Sequence, residues 1–167
     1  ALAWLSMNLG PGPVGCGWDL ATTTKQTSNP SAFTVTERFG GAWIERLVCT
    51  WKTDSEEVQE ARARAILETI AARPQGGRAR RLCIDATSER FFAQRMRRVL
   101  GRLCTVELVV ASESVTLPGE EEPTNYKTWL GNEYMRLFSD GQIDVPPSPY
   151  IKDDHRMVKR ERGQFVC

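Results

Sequence analysis

The stretch Val14–Ala21, VGCGWDLA, sets the architecture, because it joins a short apolar run to a carboxylate at its end. Small and apolar residues precede Asp19, and a polar loop with Pro30 follows. The run therefore predicts a strand that ends at Asp19. Arg81–Ala86, RLCIDA, repeats the pattern with Asp85 in the equivalent place. Each of these two predicted strands has an aspartate near its carboxyl end, and the positions of the other elements are predicted relative to them.

The remaining segments predict a mixed α/β order. Alternating apolar and polar residues over Ser31–Phe39 and Ala42–Trp51 predict an antiparallel meander with the first strand. Helical periodicity and alternation then predict the other elements: helices from Asp54 or Ser55 to near Pro74, over Ser88–Gly101 and from Pro123 to Asp140, a strand over Cys104–Ala111, and a basic β-ribbon over Tyr150–Cys167 turning near Glu161–Gly163. The order βββ-α-β-α-β-α predicts a ribonuclease H-like mixed β-sheet with helices on both faces and a C-terminal β-ribbon.

The two aspartates predict a metal site. In an open α/β sheet, the carboxyl ends of neighbouring strands share one crevice, so we expect Asp19 and Asp85 to lie close together. Two carboxylates at that separation repel each other, whereas Mg²⁺ or Mn²⁺ takes hard oxygen ligands and removes the repulsion. We therefore predict that Asp19 and Asp85 are the catalytic residues and the metal ligands of a two-metal site that hydrolyses phosphodiesters. For either residue alone, a turn or helix cap is the more common role.

The sequence resembles the nuclease domain of tailed-bacteriophage terminase large subunits, especially the Mu-like type. The resemblance rests on GWDLA, on Ser31-Ala32 at the start of the next strand, on CIDAT, and on SDGQIDVPPSP with its basic continuation. It implies metal-dependent endonuclease cleavage of concatemeric double-stranded viral DNA, with Asp19 and Asp85 matching the first two acids. It also implies a terminase small subunit and a portal as partners of the full-length protein, in the host cytoplasm.

The resemblance also implies a third acidic ligand near a C-terminal helix, often beside a histidine. No such helix is predicted here, so the third ligand is expected beyond Cys167, with Asp153 or Asp154 as weak substitutes. His155 is predicted to be a solvent-facing ribbon residue. Glu89 follows Asp85 where the family often has a glycine-rich turn. It is either an additional ligand or, as we expect, a first-turn helix carboxylate.

Basic residues cluster in two places despite a balance of 22 Lys+Arg against 21 Asp+Glu. Arg78–Arg98 and Lys152–Arg162 are rich in arginine and lysine, which neutralise phosphates when they face DNA. An ordinary solvated helix face or a charged edge strand is the alternative for each cluster. The residues predicted to contact DNA are Lys25, Arg90, Lys159 and Arg160.

Composition excludes several other classes. The 167 residues are 41% hydrophobic and 26% charged, which argues against a disordered tail, and no apolar run is long enough for a membrane span. Five cysteines at irregular spacing predict neither a disulfide framework nor a zinc site. No phosphate-binding Gly-Lys-Ser/Thr motif occurs, so we expect 1–167 to be a single nuclease domain from a longer chain whose ATPase lies elsewhere. A junction-resolving nuclease of the same fold and a non-catalytic DNA- or portal-docking module remain the alternatives.

Overall fold

The computed structural model describes residues 1–161 and 164–166, which divide into two compact units: Ala1–Val109, and the described residues from Val110 onward. The first unit contains three helices and five strands. Along the chain these are α1 Leu2–Asn8, β1 Val14–Asp19, β2 Ser31–Phe39, β3 Ala42–Trp51, α2 Glu56–Ala71, β4 Arg81–Asp85, α3 Arg90–Leu100 and β5 Thr105–Val109.

The five strands lie side by side in the order β5-β4-β1-β2-β3. β1, β2 and β3 form the predicted antiparallel meander, and β4 and β5 run parallel to β1. The meander arises because β2 and β3 are joined by the Gly40-Gly41 turn, where both glycines have positive φ (60° and 87°) that other residues rarely adopt. The predicted fold class, a ribonuclease H-like mixed sheet, is confirmed.

Alternate residues of the strands are buried on the face that α2 and α3 cover. Trp18 packs its ring against Phe33, Trp51 and Phe92, with centroids 5.7–6.4 Å apart. Phe92 comes from α3 and the other rings from the sheet, so this cluster joins the helix to the strands. Because strand side chains alternate between faces, the burial of Trp18 places its neighbour Asp19 on the opposite side of the strand.

Helix α2 begins where the sequence predicts. The Ser55 side chain accepts a hydrogen bond from the Val58 amide (3.2 Å), and Glu56 and Glu57 occupy the first turn, where the helix dipole favours negative charge. The buried stripe of α2 contains Gln59, Ala63, Ile66, Leu67 and Ile70. Gln59 is the only polar residue of that stripe.

A buried carboxylate fixes the start of the sheet. Glu37 on β2 has no solvent exposure and accepts hydrogen bonds from the amides of Gly10 (3.1 Å) and Gly12 (2.9 Å) and from Nε of Arg46 (2.9 Å). The buried guanidinium of Arg73 lies 3.9 Å from Glu37 Oε1 and donates to the carbonyls of Gly10 and Gly12. This ion pair holds the segment that leads into β1.

The second unit is built around α4. Its elements are β6 Ser114–Val115, β7 Thr124–Asn125, α4 Tyr126–Ser139, β8 Ile143–Asp144, α5 Pro149–Met157, β9 Lys159–Glu161 and β10 Gln164–Val166. β6 pairs with β7, and β9 pairs with β10, both antiparallel. Phe165 of β10 is buried against α4 at Gly131, where the absence of a side chain makes room for the ring.

The start of the C-terminal ribbon differs from the prediction. The ribbon exists, but the prediction that it starts at Tyr150 is wrong, because Pro149–Met157 form α5. Pro149 lies in the first helical turn, where its fixed φ favours a helix, and the charged residues that follow disfavour a strand. The predicted turn near Glu161–Gly163 lies partly outside the described residues.

Helix α1 has no counterpart in the prediction. Within the described chain, no helix has the length and apolar character to cross a membrane.

Candidate functional site

The register of β1 and β4 brings the two strand-end aspartates to one edge of the sheet. In this parallel pair Trp18 is aligned with Ile84, so the next residues, Asp19 and Asp85, follow at the same level. Neighbouring strands lie about 4.8 Å apart, and residues in register point to the same face. Both aspartates are exposed, whereas Trp18 and Ile84 are buried. The pair therefore lies on the sheet face opposite the aromatic core.

The Asp19 side chain has no structural partner in the part of the chain that the structure describes. Among the described residues, its carboxylate has neither a hydrogen bond nor an ion pair, although strand-end aspartates commonly cap a turn or helix. Although Asp19 is accessible to solvent, the protein atoms around it partly desolvate its carboxylate and raise its pKa, and the neighbouring Asp85 carboxylate raises the pKa further. Both causes disfavour the negative charge of the Asp19 carboxylate. Among the described residues, no hydrogen-bond donor or cation offsets them.

Asp85 is oriented by its own turn. Its Oδ1 accepts a hydrogen bond from the Thr87 amide at 2.8 Å, as in an Asx turn, and Oδ2 has no hydrogen bond within the described chain. Neither Thr87 nor Ser88 caps α3, because the N-cap position is Glu89. One oxygen of Asp85 thus fixes the carboxylate, and the other is available to a ligand.

The loop after Asp19 is held by a buried polar network that the sequence patterns did not indicate. Ser31 Oγ accepts from the Ala21 amide (2.9 Å) and donates to the Ala21 carbonyl (3.0 Å). Gln59 is fully buried, and its Nε2 donates to the Ala21 carbonyl (2.8 Å) and to Ser31 Oγ (3.0 Å). Its Oε1 accepts from Trp51 Nε1 (2.5 Å). The one signal in the sequence is a glutamine on the apolar stripe of α2.

A second link joins the two loops that follow the aspartates. Thr22 Oγ1 donates to Glu89 Oε1 at 2.5 Å, connecting the loop after β1 to the start of α3. Glu89 is half-buried and occupies the N-cap position, so the expectation of a first-turn carboxylate is corrected to a residue just before that turn. Its carboxylate ties the loops together, which limits their movement beside the aspartate pair.

The donor set suits one hard divalent cation. Within residues 1–161 and 164–166, no group of three or more His, Cys, Asp or Glu side chains is arranged to hold a metal. Asp19 and Asp85 supply two carboxylates, and Mg²⁺ is commonly held by one or two carboxylates, with water or a substrate phosphate completing its shell. The mutual repulsion that raises the pKa of Asp19 is the charge that such a cation would neutralise. The catalytic and metal-binding roles of both residues remain predictions.

The substitute third ligands lie on α5 of the second unit. Asp153 and Asp154 are exposed, and Asp153 pairs with Arg156 (3.2 Å). The prediction that His155 faces solvent from a ribbon is wrong. His155 lies on a helix and is half-buried, its ring stacks on Tyr134, and Tyr134 Oη lies 2.6 Å from its Nδ1. This partner gives His155 a packing role within the unit.

The residues predicted to contact DNA occupy three places. Arg90 is the exposed first residue of α3, five positions after Asp85. Lys25 is exposed in the loop after β1, and its carbonyl accepts from Lys52 Nζ (3.0 Å). Lys159 and Arg160 are exposed on β9 of the second unit, where the Arg160 guanidinium lies 5.8 Å from the centre of the Phe165 ring. Their role in DNA binding stays a prediction.

Comparison with solved structures identifies the fold. The chain is similar to the large terminase nuclease of thermophilic phage G20c, with 16% identity, 93% of this chain and 71% of that chain covered, and a TM-score of 0.59. It is similar to the nuclease domain of the large terminase subunit of bacterial virus Sf6 with manganese and beta-thujaplicinol, with 11% identity, 99% and 85% covered, and a TM-score of 0.61.

A large terminase from a different thermophilic bacteriophage is also similar, with 12% identity and a TM-score of 0.60. That match covers 95% of this chain but 36% of the phage chain, so this chain spans about a third of that large terminase. No protein-family model and no curated protein matches the sequence. The strand order, the mixed sheet and these similarities together show that the chain has the ribonuclease H-like fold of the nuclease domain of large terminases.

Proposed function

We propose that this chain is a metal-dependent endonuclease domain of a viral DNA-packaging terminase, which cleaves concatemeric double-stranded DNA. The single observation that carries the proposal is the exposed Asp19 carboxylate, which has no structural partner among the described residues and lies beside Asp85 at the carboxyl edge of two neighbouring strands. Perturbed acids of this kind cluster at functional sites. The likeness in fold to terminase nucleases supports phosphodiester hydrolysis as the reaction.

The aspartates and the residues behind them would have different roles. Asp19 and Asp85 would hold Mg²⁺ or Mn²⁺ through carboxylate oxygens, and the Thr87 amide keeps Asp85 in one orientation. Such a cation supplies charge neutralisation at the phosphate and activation of water for hydrolysis. Gln59 and Ser31 fix the backbone that follows Asp19, so the carboxylate is positioned before the metal and DNA bind. Pre-positioning of this kind lowers the cost of forming the transition state.

Plasmid nicking tests the proposal. We expect the wild-type chain, or a version extended at its C-terminus, to nick supercoiled plasmid with Mn²⁺ or Mg²⁺ and to stop when EDTA is added. Asp19→Asn and Asp85→Asn should each lower the rate by roughly 100-fold or more, because each removes a charged ligand of the cation. Asp54→Asn is a matched control, because Asp54 is an exposed loop aspartate just before α2, outside the strand-end pair.

A binding readout separates loss of chemistry from loss of metal. Calorimetric titration with Mn²⁺ should give binding to wild type and to Asp54→Asn, with much weaker binding to Asp19→Asn. The stoichiometry counts whether one or two ions bind. Cleavage that persists in EDTA, or that survives both substitutions, would refute the proposal. A chain that binds DNA but neither binds metal nor cuts would be the non-catalytic docking module, and strong preference for a four-way junction would favour a resolvase.

A further inference from the structure

Two segments of the first unit carry arginines without any acidic residue. Arg90–Val106 contains five arginines and no Asp or Glu, and Arg73–Ile84 contains four arginines and no Asp or Glu. The chain as a whole is close to neutral, with 22 basic and 21 acidic residues. The local imbalance is therefore a feature of this part of the surface and not of the protein's overall composition.

Helix α3 connects the aspartate edge of the sheet to the opposite edge. It begins after β4, beside Asp85, and ends before β5, so it runs antiparallel to both strands. With 11 residues it is about 16 Å long. Arg97 and Arg98 are exposed in its last turn, on the side away from the buried face. Phe91, at the aspartate end, is 90% exposed.

At the far end of α3, two loops form a polar cleft. Gly76 and residues 78–80 and 101–105 line it, and its volume is about 430 Å³. The exposed side chains of Arg78, Arg80 and Arg102 belong to this lining, and Arg78 Nη1 donates to the Arg102 carbonyl (3.1 Å), which holds the two loops together. We call these three residues, with Arg97 and Arg98, the arginine track.

The arginine track has no carboxylate partner among the described residues. Two neighbouring arginines behave differently, because Arg81 pairs with Glu107 (3.0 Å) and Arg95 pairs with Glu56. The helix dipole favours positive charge at the C-terminal end of α3, which explains Arg97 and Arg98 there. It does not explain why the cleft is lined by arginines. Five uncompensated cations in one area produce a local positive potential that attracts a polyanion.

We propose that the arginine track binds the phosphate backbone of duplex DNA beyond the point of cleavage. The choice of DNA as the ligand rests on the proposed function, and the charge of the track is complementary to it. The cleft lies at the end of α3 away from Asp85, about 16 Å along the helix, which equals the axial rise of about five base pairs, so the track would contact phosphates at a place separate from the aspartates. The track would hold DNA without a metal and without sequence preference.

Fluorescence anisotropy with a labelled 24-base-pair duplex in EDTA measures this binding without cleavage. Two double variants, Arg78→Gln/Arg102→Gln and Arg97→Gln/Arg98→Gln, each remove two charges from the track. Arg64→Gln/Arg136→Gln is the matched control, because both of its arginines are ion-paired elsewhere. Each lost phosphate contact should reduce the slope of log K against log salt by about 0.9, which weakens binding about 8-fold at 0.1 M salt.

The pattern across these variants distinguishes the track from the cleavage site. Weaker DNA binding and a shallower salt slope in both track variants, with the control unchanged, support the proposal that the arginine track binds DNA. Unchanged binding in both track variants overturns it, as does equally tight binding of polyglutamate, which would indicate a site for acidic protein. Asp19→Asn should bind DNA in EDTA at least as tightly as wild type. If wild type binds DNA through the arginine track but never cleaves it, the proposed nuclease function is refuted, whereas the proposal that the track binds DNA is supported.

Discussion

Replacing Gln59 by leucine tests whether the buried polar network holds the loop behind Asp19. Leucine has a similar volume but no polar atoms. The change therefore removes the acceptor of Trp51 Nε1 (2.5 Å) and the donor to the Ala21 carbonyl (2.8 Å). Because Gln59 is fully buried and Trp51 is 8% exposed, water cannot replace the lost partners without rearrangement. The substitution should lower the free energy of unfolding.

The magnitude follows from which groups are left unsatisfied. The Ala21 carbonyl and Ser31 Oγ keep their mutual hydrogen bond (3.0 Å), whereas the Trp51 N–H loses its only partner among the described residues and the Thr53 carbonyl loses a longer contact with Gln59 Nε2 (3.4 Å). An unsatisfied buried group costs about 1–3 kcal/mol, and each net hydrogen bond lost costs about 1 kcal/mol, which together give a destabilisation of about 2–4 kcal/mol. For a protein of this size, that lowers Tm by roughly 5–15 °C.

Urea unfolding of a double-mutant cycle is the assay. Trp51→Phe keeps an aromatic ring but removes the N–H, so in the Gln59→Leu background it removes the group that the first change left unsatisfied. The two changes together should cost about 1–3 kcal/mol less than the sum of the separate costs. Gln94→Leu, on the exposed side of α3, is the control and should change stability by less than about 0.5 kcal/mol. A Gln59→Leu protein as stable as wild type, or strictly additive costs, would refute the reasoning.

Three further predictions concern other parts of the chain. In EDTA, Asp19→Asn should match wild type below about pH 3 and be more stable at neutral pH, because the raised pKa of Asp19 means that its ionisation opposes folding as the pH rises. Thermal unfolding against pH checks this, and lower stability of the variant at neutral pH would contradict it. Glu37→Gln should cost about 3–5 kcal/mol in urea unfolding, since it leaves the buried Arg73 guanidinium without its carboxylate. A cost no larger than that of an exposed Glu→Gln change would argue against the ion pair. Gly131→Ala should loosen the ribbon, because its Cβ would lie 2.2 Å from the Phe165 ring, and faster tryptic cleavage within β9 would report it. Wild-type resistance to trypsin would mean that the ring moves aside at little cost.

Local sequence was enough to predict most elements and their order. Periodicity predicted β1, β2, β3, α2 and β4 within a few residues, because the alternation of buried side chains depends on neighbours along the chain. It also identified Asp19 and Asp85 as acids at strand ends. The α5 helix was not predicted because its nine residues, Pro149–Met157, span too few turns for a helical pattern to stand out among charged residues, and its helical start depends on Pro149.

The surroundings of the aspartates depend instead on long-range packing. The alignment of Trp18 with Ile84 is a pairing between strands more than 60 residues apart, which no local pattern specifies. The partners of Gln59 come from three other segments, and the desolvation that raises the pKa of Asp19 depends on atoms from neighbouring elements. Local sequence sets which face of a strand or helix is apolar. Burial, register and electrostatics arise when distant segments pack together.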